Sequence, residues 1–361
     1  MRETRSIVIF VVGAKLAILS FGFIAFLLLS TQTVGRLSSI WVRWDALAYL
    51  NIAQQGYTAV GPHRWDIVFF PVYPLLVSLL TPITGDSAMS GIIVSGIASV
   101  FLGVFFHDLV RLDHPSRVAD ISVWFLFIYP TSYFLHIPYT ESAFLALVVA
   151  SFLAARKDRW LLAGLLGAVA CATRINGLVL CLALPLEVWY LWRQDRKFNW
   201  SWLWLGLVPI GFLAYLALNY FVFGDPFAFM AAQREHWQKF LANPIPAVFG
   251  KFRGVLAETR PTQLLEGAFE IIFLGFGLLM TLIGWRSMRA SYRVRMIASL
   301  LLFVSTSFIL SVPRYTLTLF PMFIVMAIVF KKPARLAVAS IISILYLALF
   351  TASFVQGRWA F

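Results

Sequence analysis

Apolar stretches long enough to cross a bilayer recur from one end of this chain to the other. A helix needs about 20 predominantly apolar residues to span a hydrocarbon core of roughly 30 Å. Runs of this kind dominate the 361 residues, of which 61% are hydrophobic and only 12% charged. A soluble domain carries about twice that share of charge. The pattern excludes a soluble enzyme, a disordered chain and a fibrous repeat, and leaves an all-α polytopic membrane protein. Cys171 and Cys181 both sit in apolar runs and offer neither a disulfide framework nor zinc spacing.

Arg2 and Arg5 precede the first run, 7–29. It is longer than a signal-peptide core and no A-x-A site follows, so it reads as a retained span with its N-terminus inside. Further spans are expected at 88–106, 118–135, 142–155, 161–173, 177–192, 202–222, 268–285, 297–311, 315–330 and 336–354. The expected architecture is therefore about 11 transmembrane helices, N-in and C-out, in a single integral-membrane domain, 1–361. Of the 29 Lys and Arg residues, 17 fall on the proposed inner segments and 11 on the outer ones. This bias supports the sidedness and explains the net charge of +13 without nucleic acid. Lys15 is read as the one charge deep in a span.

Two outer segments are large, 30–87 and 223–267, and long loops are where binding and catalysis concentrate. Within the first, 69–84 is interrupted by Pro71, Pro74 and Pro82. Counting it as a further span would put most basic loops outside. It is read instead as an amphipathic or partly inserted helix on the outer face, either guiding a lipid past Phe69, Phe70 and Tyr73 or serving as a plain anchor.

Polar clusters collect on that same outer face. Asp45 is expected to cap a short amphipathic helix carrying Ala46, Tyr49, Leu50 and Ala53, with Gly56 at its end. Trp41 and Trp44 beside it fit an interfacial aromatic belt. His63 and Asp66 form a second cluster, and Thr140 and Glu141 open the fourth span. Arg43, Arg64, Arg174 and Arg314 fall on the outer side as well. Carboxylates and arginines facing one interfacial compartment suit a phosphate-bearing substrate. There is no Gly-rich phosphate loop, Rossmann fingerprint, D-x-D pair, Ser/His/Asp constellation or Cys/His cluster. Nucleotide donors are cytosolic, so group transfer on this face requires a lipid-carried donor.

At these residues the chain resembles the integral-membrane glycosyltransferases of the GT-C superfamily. Within it, the likeness is to the PIG-V type, the second mannosyltransferases of GPI-anchor synthesis, and their prokaryotic relatives. The matching segments are Arg43-Trp-Asp45-Ala with Tyr49 and Gly56-Tyr57; Phe69-Phe-Pro71-Val-Tyr-Pro74; Tyr139-Thr-Glu141-Ser; Ala172-Thr-Arg174 with Gly177; Gly224-Asp-Pro226 with Gln233; and Arg314-Tyr315 with Phe320-Pro321. The resemblance implies a multi-span fold, a catalytic aspartate in the first outer loop and a polyprenyl-phosphate sugar donor. The family's aspartate falls on Asp45. The basic residues of its ATR-like and RY-like motifs fall on Arg174 and Arg314, and the glutamate of its YSE-like motif on Glu141, with Thr140 replacing the usual serine.

The expected activity is inverting transfer of a sugar, mannose by preference, from polyprenyl phosphate to a lipid or protein acceptor. A phosphate leaving group departs without protonation, so one general base, Asp45, suffices. Arg174 and Arg314, with Arg43 and Arg64, are the candidates for holding the donor phosphate. Asp66 and Glu141 are candidates for a second acid or an acceptor contact, and Tyr49, Gln233 and Tyr315 for substrate contacts. No cofactor is expected; the alternative is a divalent cation on His63, Asp66 and Glu141. The expected setting is the prokaryotic cell membrane, multi-pass, with the active site facing outward among membrane lipids. The competing reading is a transporter or flippase for a lipid-linked sugar, which would place its polar site near mid-membrane. A third is a non-catalytic scaffold, which leaves the polar outer clusters unexplained.

Overall fold

The computed structural model describes residues 2–30 and 36–361. The start of the predicted first outer loop, 31–35, lies outside the described residues. The chain is helical almost throughout, and among the described residues its only strand-like pairing is one bridge between Leu241 and Thr306.

The first helix, α1 (Arg2–Leu29), is followed by α2 (Asp45–Gln55), α3 (Val72–Thr84) and α4 (Ser87–Arg111). Then come α5 (Ser116–Ile128), α6 (Glu141–Arg156), α7 (Trp160–Cys171), α8 (Leu180–Asp195) and α9 (Ile210–Phe223). The second large loop holds α10 (Ala228–His236) and α11 (Pro244–Ala257). The chain closes with α12 (Pro261–Ile283), α13 (Ala290–Val304), α14 (Val312–Thr316), α15 (Phe320–Phe330) and α16 (Pro333–Val355).

Among the described residues, six helical segments are each long and apolar enough to cross a membrane: Glu3–Leu29, Ser87–Arg111, Ile175–Asp195, Trp200–Phe223, Pro261–Ile283 and Pro333–Val355. They expose apolar side chains on their outer sides, such as Ile9, Leu16 and Leu28 on α1 and Val338, Ile341 and Leu345 on α16. Such surface is stable only against lipid. This is a multi-pass membrane protein.

The helices inside this sheath are shorter. In α6 every residue from Glu141 to Ala155 except Leu147 is buried. Its 16 residues reach about 24 Å, and the 12 of α7 about 18 Å. Prolines mark other helix boundaries. Pro130 forces Tyr129 out of helical geometry at the end of α5, and Pro313 and Pro321 stand in the first turns of α14 and α15. Core helices that end early leave depth at one end of the bundle, and irregular chain enters there.

Non-helical backbone at that depth must satisfy its polar groups within the protein. Lys15 of α1 donates Nζ to the carbonyls of Ile92 (2.8 Å) and His136 (2.9 Å). Ser99 Oγ donates to Leu135 O, Thr131 Oγ1 to Pro313 O, and Tyr139 OH to Arg43 O. Lys15 is therefore a structural donor. It is also not the one charge within a predicted span: Glu270 of α12 and Glu187 of α8 are buried in theirs. At the opposite end of the bundle, Arg156 makes a two-pronged pair with Asp113, and Arg289 another with Glu187.

The proline-interrupted segment 69–84 forms the single helix α3 from Val72 onward, and it meets Pro62–Val68 at a 118° bend. Phe70 is buried and stacks on Tyr215 at 3.9 Å, and Tyr73 OH bonds Gly91 O and Ser95 Oγ. These rings are core residues and line no open approach for a lipid.

Candidate active site

Four charged side chains from distant parts of the sequence converge at the end where the core helices stop short. Asp45 opens α2. Glu141 opens the buried helix α6. Arg174 follows α7, in extended geometry on the turn that folds back before α8, and Gly177 makes that turn possible because a Cβ there would lie 2.6 Å from Cys171 Cα. Arg314 sits in the short helix α14.

Arg314 bridges both carboxylates, with Nη1 2.6 Å from Asp45 Oδ2 and Nε 2.5 Å from Glu141 Oε1. Arg174 Nη1 lies 2.5 Å from the same Glu141 oxygen and 2.7 Å from Thr140 Oγ1. The Glu141 side chain is 0% exposed, Arg314 7% and Arg174 13%, whereas Asp45 is 34% exposed. Three charges are thus enclosed, and Asp45 is the most accessible member of the cluster. Buried charges at such distances offset their desolvation by charge-assisted bonds. The Arg314 guanidinium also lies over the rings of Tyr139 (4.6 Å) and Phe134 (5.0 Å).

Asp45 was expected as the helix cap; the structure corrects this. Trp44 holds the N-cap position and Asp45 is the first helical residue, its side chain turned to Arg314. Thr140 likewise gives no side-chain cap to α6 and instead meets Arg174. Gly56 ends α2 with φ +75°, as its sequence position suggested.

The other predicted residues divide. Tyr49 is buried, with its hydroxyl 3.5 Å from Thr140 Oγ1. Tyr315 is half-buried under the Arg174 guanidinium at 5.7 Å. Arg43 Nη2 donates to Val355 O at 3.2 Å. Arg64 is exposed and stacks over Trp65, and Gln233 is half-buried on α10, its carbonyl bonded by Trp237 and Lys239 N–H groups.

Asp66 forms a separate cluster. It accepts from Asn51 Nδ2 at 2.7 Å and lies 3.3 Å from His63 Nδ1. Half-burial pushes its carboxyl above the ordinary aspartate value, and the Asn51 and His63 contacts offset only part of that. Asn51 lies six residues beyond Asp45, about 9 Å along α2. Among the described residues no three His, Cys, Asp or Glu side chains converge as metal ligands, so His63 and Asp66 stand apart from Glu141.

Sequence reasoning missed Glu270. This buried residue of α12 accepts the backbone N–H groups of Ser311 and Val312, each at 2.7 Å. Ser311 has φ +68°, in the left-handed region. Glu270 thereby pins the turn from which Arg314 projects. The signal was available, since a lone acid inside an apolar run is costly unless it has a task.

A buried core of short helices, a sheath of long ones and a charged site at one end define a multi-pass helical membrane protein of the GT-C fold. ArnT from Cupriavidus metallidurans bound to undecaprenyl phosphate aligns with a TM-score of 0.57 at 15% identity, over 96% of this chain and 70% of that one. Apo ArnT aligns with a TM-score of 0.54, also at 15% identity, over 93% of this chain and 62% of that one. In sequence, part of the chain is similar to the second mannosyltransferases of GPI-anchor synthesis. It is 32% identical over 148 residues to the GPI α-1,6-mannosyltransferase 2 of Mus musculus, covering 38% of this chain and 29% of the relative. The Schizosaccharomyces pombe GPI mannosyltransferase 2 is 25% identical over 151 residues, covering 39% of this chain and 31% of the relative. The matched region spans under a third of the length of these curated relatives. No protein-family model matches the chain.

Proposed function

We propose that this protein is an inverting glycosyltransferase that moves a sugar, mannose by preference, from polyprenyl phosphate to a lipid or protein acceptor. The observation that carries the reading is the bridge of Arg314 between accessible Asp45 and enclosed Glu141, with Arg174 on the same glutamate. The PIG-V-type relatives supply the sugar, and the ArnT complex with undecaprenyl phosphate supplies the class of donor.

The residues divide the chemistry as follows. The donor phosphate draws on Arg174 and Arg314, whose guanidinium groups are already aimed at negative charge. As the phosphate takes a share of Arg314, Asp45 is released from its ion pair. Its carboxylate then accepts the proton of the acceptor hydroxyl while that oxygen attacks the anomeric carbon. The bond from the anomeric carbon to the phosphate oxygen breaks, and its electron pair leaves with the phosphate. Attack opposite the leaving group inverts the centre. Glu141 stays buried and holds both arginines in place.

The topology proposed with this reading is eleven crossings with the N-terminus inside and the site facing outward, in a prokaryotic cell membrane. The split of basic residues between the two sides supports it. The test is to offer the purified protein polyprenyl-phosphate mannose, glucose and arabinose separately, with an acceptor lipid or protein extract. Transfer from one of them, mannose first, is expected. No turnover of any lipid-linked sugar, with the donor bound, would contradict the reading.

A further inference from the structure

Trp44 occupies a backbone conformation that its type avoids. It has φ +50° and ψ −121°, a region that glycine enters freely and a bulky side chain enters only under strain. Several contacts over-determine the torsion. The Arg43 carbonyl before it accepts from Tyr139 OH at 2.8 Å and from Ala46 N at 3.1 Å. The Trp44 carbonyl accepts from Leu47 N at 3.1 Å, inside the first turn of α2. Strain held by its surroundings beside a reactive carboxylate points to a task for the side chain.

The two tryptophans of this loop have opposite environments. Trp41 is buried, and its ring fills the gap left by Gly22, where a Cβ would lie 2.2 Å from it. Trp44 is 43% exposed, one residue from Asp45. Its ring is propped edge-on by Trp359, with centroids 5.3 Å apart at 70°. The C-terminal segment that carries Trp359 is anchored: Tyr133 OH donates to Ala360 O, and Phe361 packs on Phe269 and Phe350. A partly exposed aromatic ring is thus held against an anchored neighbour one residue from Asp45. An interfacial belt residue needs no strained torsion and no prop.

We infer that Trp44 is the sugar-contacting platform of this site, its ring packing on the apolar C–H face of the hexose being transferred. The inference rests on the glycosyltransferase reading above and adds the subsite for the sugar ring. A pyranose presents a polar rim and an apolar face, and a fixed indole matches the latter at little entropic cost.

The test measures binding of two probes to the intact protein: a short-chain polyprenyl-phosphate hexose, and the same polyprenyl phosphate without sugar. Trp44→Ala should weaken binding of the sugar-bearing probe by roughly 3- to 10-fold, the value of one aromatic stack, and leave the bare phosphate unchanged. Trp44→Phe should recover most of the loss. Trp44→Gly should unfold no earlier than wild type, because glycine relieves the strain, yet bind the sugar probe as poorly as Trp44→Ala. Equal weakening of both probes would overturn the inference in favour of a tail or phosphate contact, and no weakening of either would overturn it outright. Arg314→Ala serves as the separate control: if it leaves both probes unchanged, the donor-phosphate reading fails, while the Trp44 comparison between probes still stands on its own.

Discussion

Arg314 and Asp45 lie 269 positions apart in sequence and 2.6 Å apart in space. The pair joins the start of α2 to the short helix before the last two helices, and Asp45 is the more accessible of the two carboxylates that Arg314 holds. A base tied to an arginine becomes available when another anion claims that arginine. In the mechanism proposed above, donor binding and activation of Asp45 are therefore one event.

The arginines are the first point of attack. Arg314 uses Nε and Nη1 on different carboxylates, which a lysine cannot reproduce. Arg174→Ala and Arg314→Ala should each weaken binding of polyprenyl phosphate by roughly 10- to 100-fold, the value of a charge-assisted contact. Arg314→Lys should be nearly as damaging. Titration with the lipid phosphate checks this, and unchanged affinity in both alanine variants would contradict it.

Glu270 should act on Arg314 from a distance. Its two bonds to the Ser311 and Val312 N–H groups hold the turn, so Glu270→Gln leaves one N–H facing an amide NH₂. An unsatisfied buried donor costs about 1–3 kcal/mol. Thermal unfolding should fall accordingly, and donor affinity should fall with it because Arg314 loses its mooring. Wild-type stability in Glu270→Gln would remove the residue from this role.

Asp66 gives a pH signature of defined sign. Its carboxyl is raised above the ordinary value of 3.8, mainly by burial. A raised acid stabilises the fold through its protonated form, fully below the unfolded value, and that contribution is lost as pH rises through the folded value. Asp66→Asn should therefore be more stable than wild type at neutral pH, with the gain vanishing below about pH 4. A deficit of constant size across that range would refute the assignment.

Much of this was legible in the sequence, and the limits have physical causes. The long lipid-facing helices α1, α4, α12 and α16 follow from apolar length alone. Asp45, Glu141, Arg174 and Arg314 were named as separate motifs, and the structure brings them together. Arg64, exposed over Trp65, was grouped with them because a linear sequence shows sidedness and not distance. The expected spans 142–155 and 161–173 match α6 and α7 within two residues, whereas α5 stops at Ile128 and not at 135, because Pro130 keeps Tyr129 out of helical geometry. Glu270 was visible as a lone acid inside an expected span, but its partners at Ser311 and Val312 are a tertiary contact that no local pattern shows. Asp45 was read as a cap because aspartate before an amphipathic run usually is one, and the tertiary partner at Arg314 overrode that local preference.

The proposed topology is tested by single cysteines at exposed positions, in a background lacking Cys171 and Cys181. Ala59 and Asn243 should label from outside intact cells, and Lys157 and Ser287 only after permeabilisation. All four are exposed in the structure. Labelling of Ala59 and Asn243 from opposite sides would contradict the eleven-crossing arrangement.

The most direct measurement is the single-turnover rate of sugar transfer by Asp45→Asn, with polyprenyl-phosphate mannose at saturation and donor binding confirmed for the variant. The amide keeps the size of the side chain and removes the proton acceptor. A fall of ~10²–10⁴ in rate, with donor affinity held near wild type, is the predicted result. Transfer at the wild-type rate would contradict the assignment of Asp45 as the base.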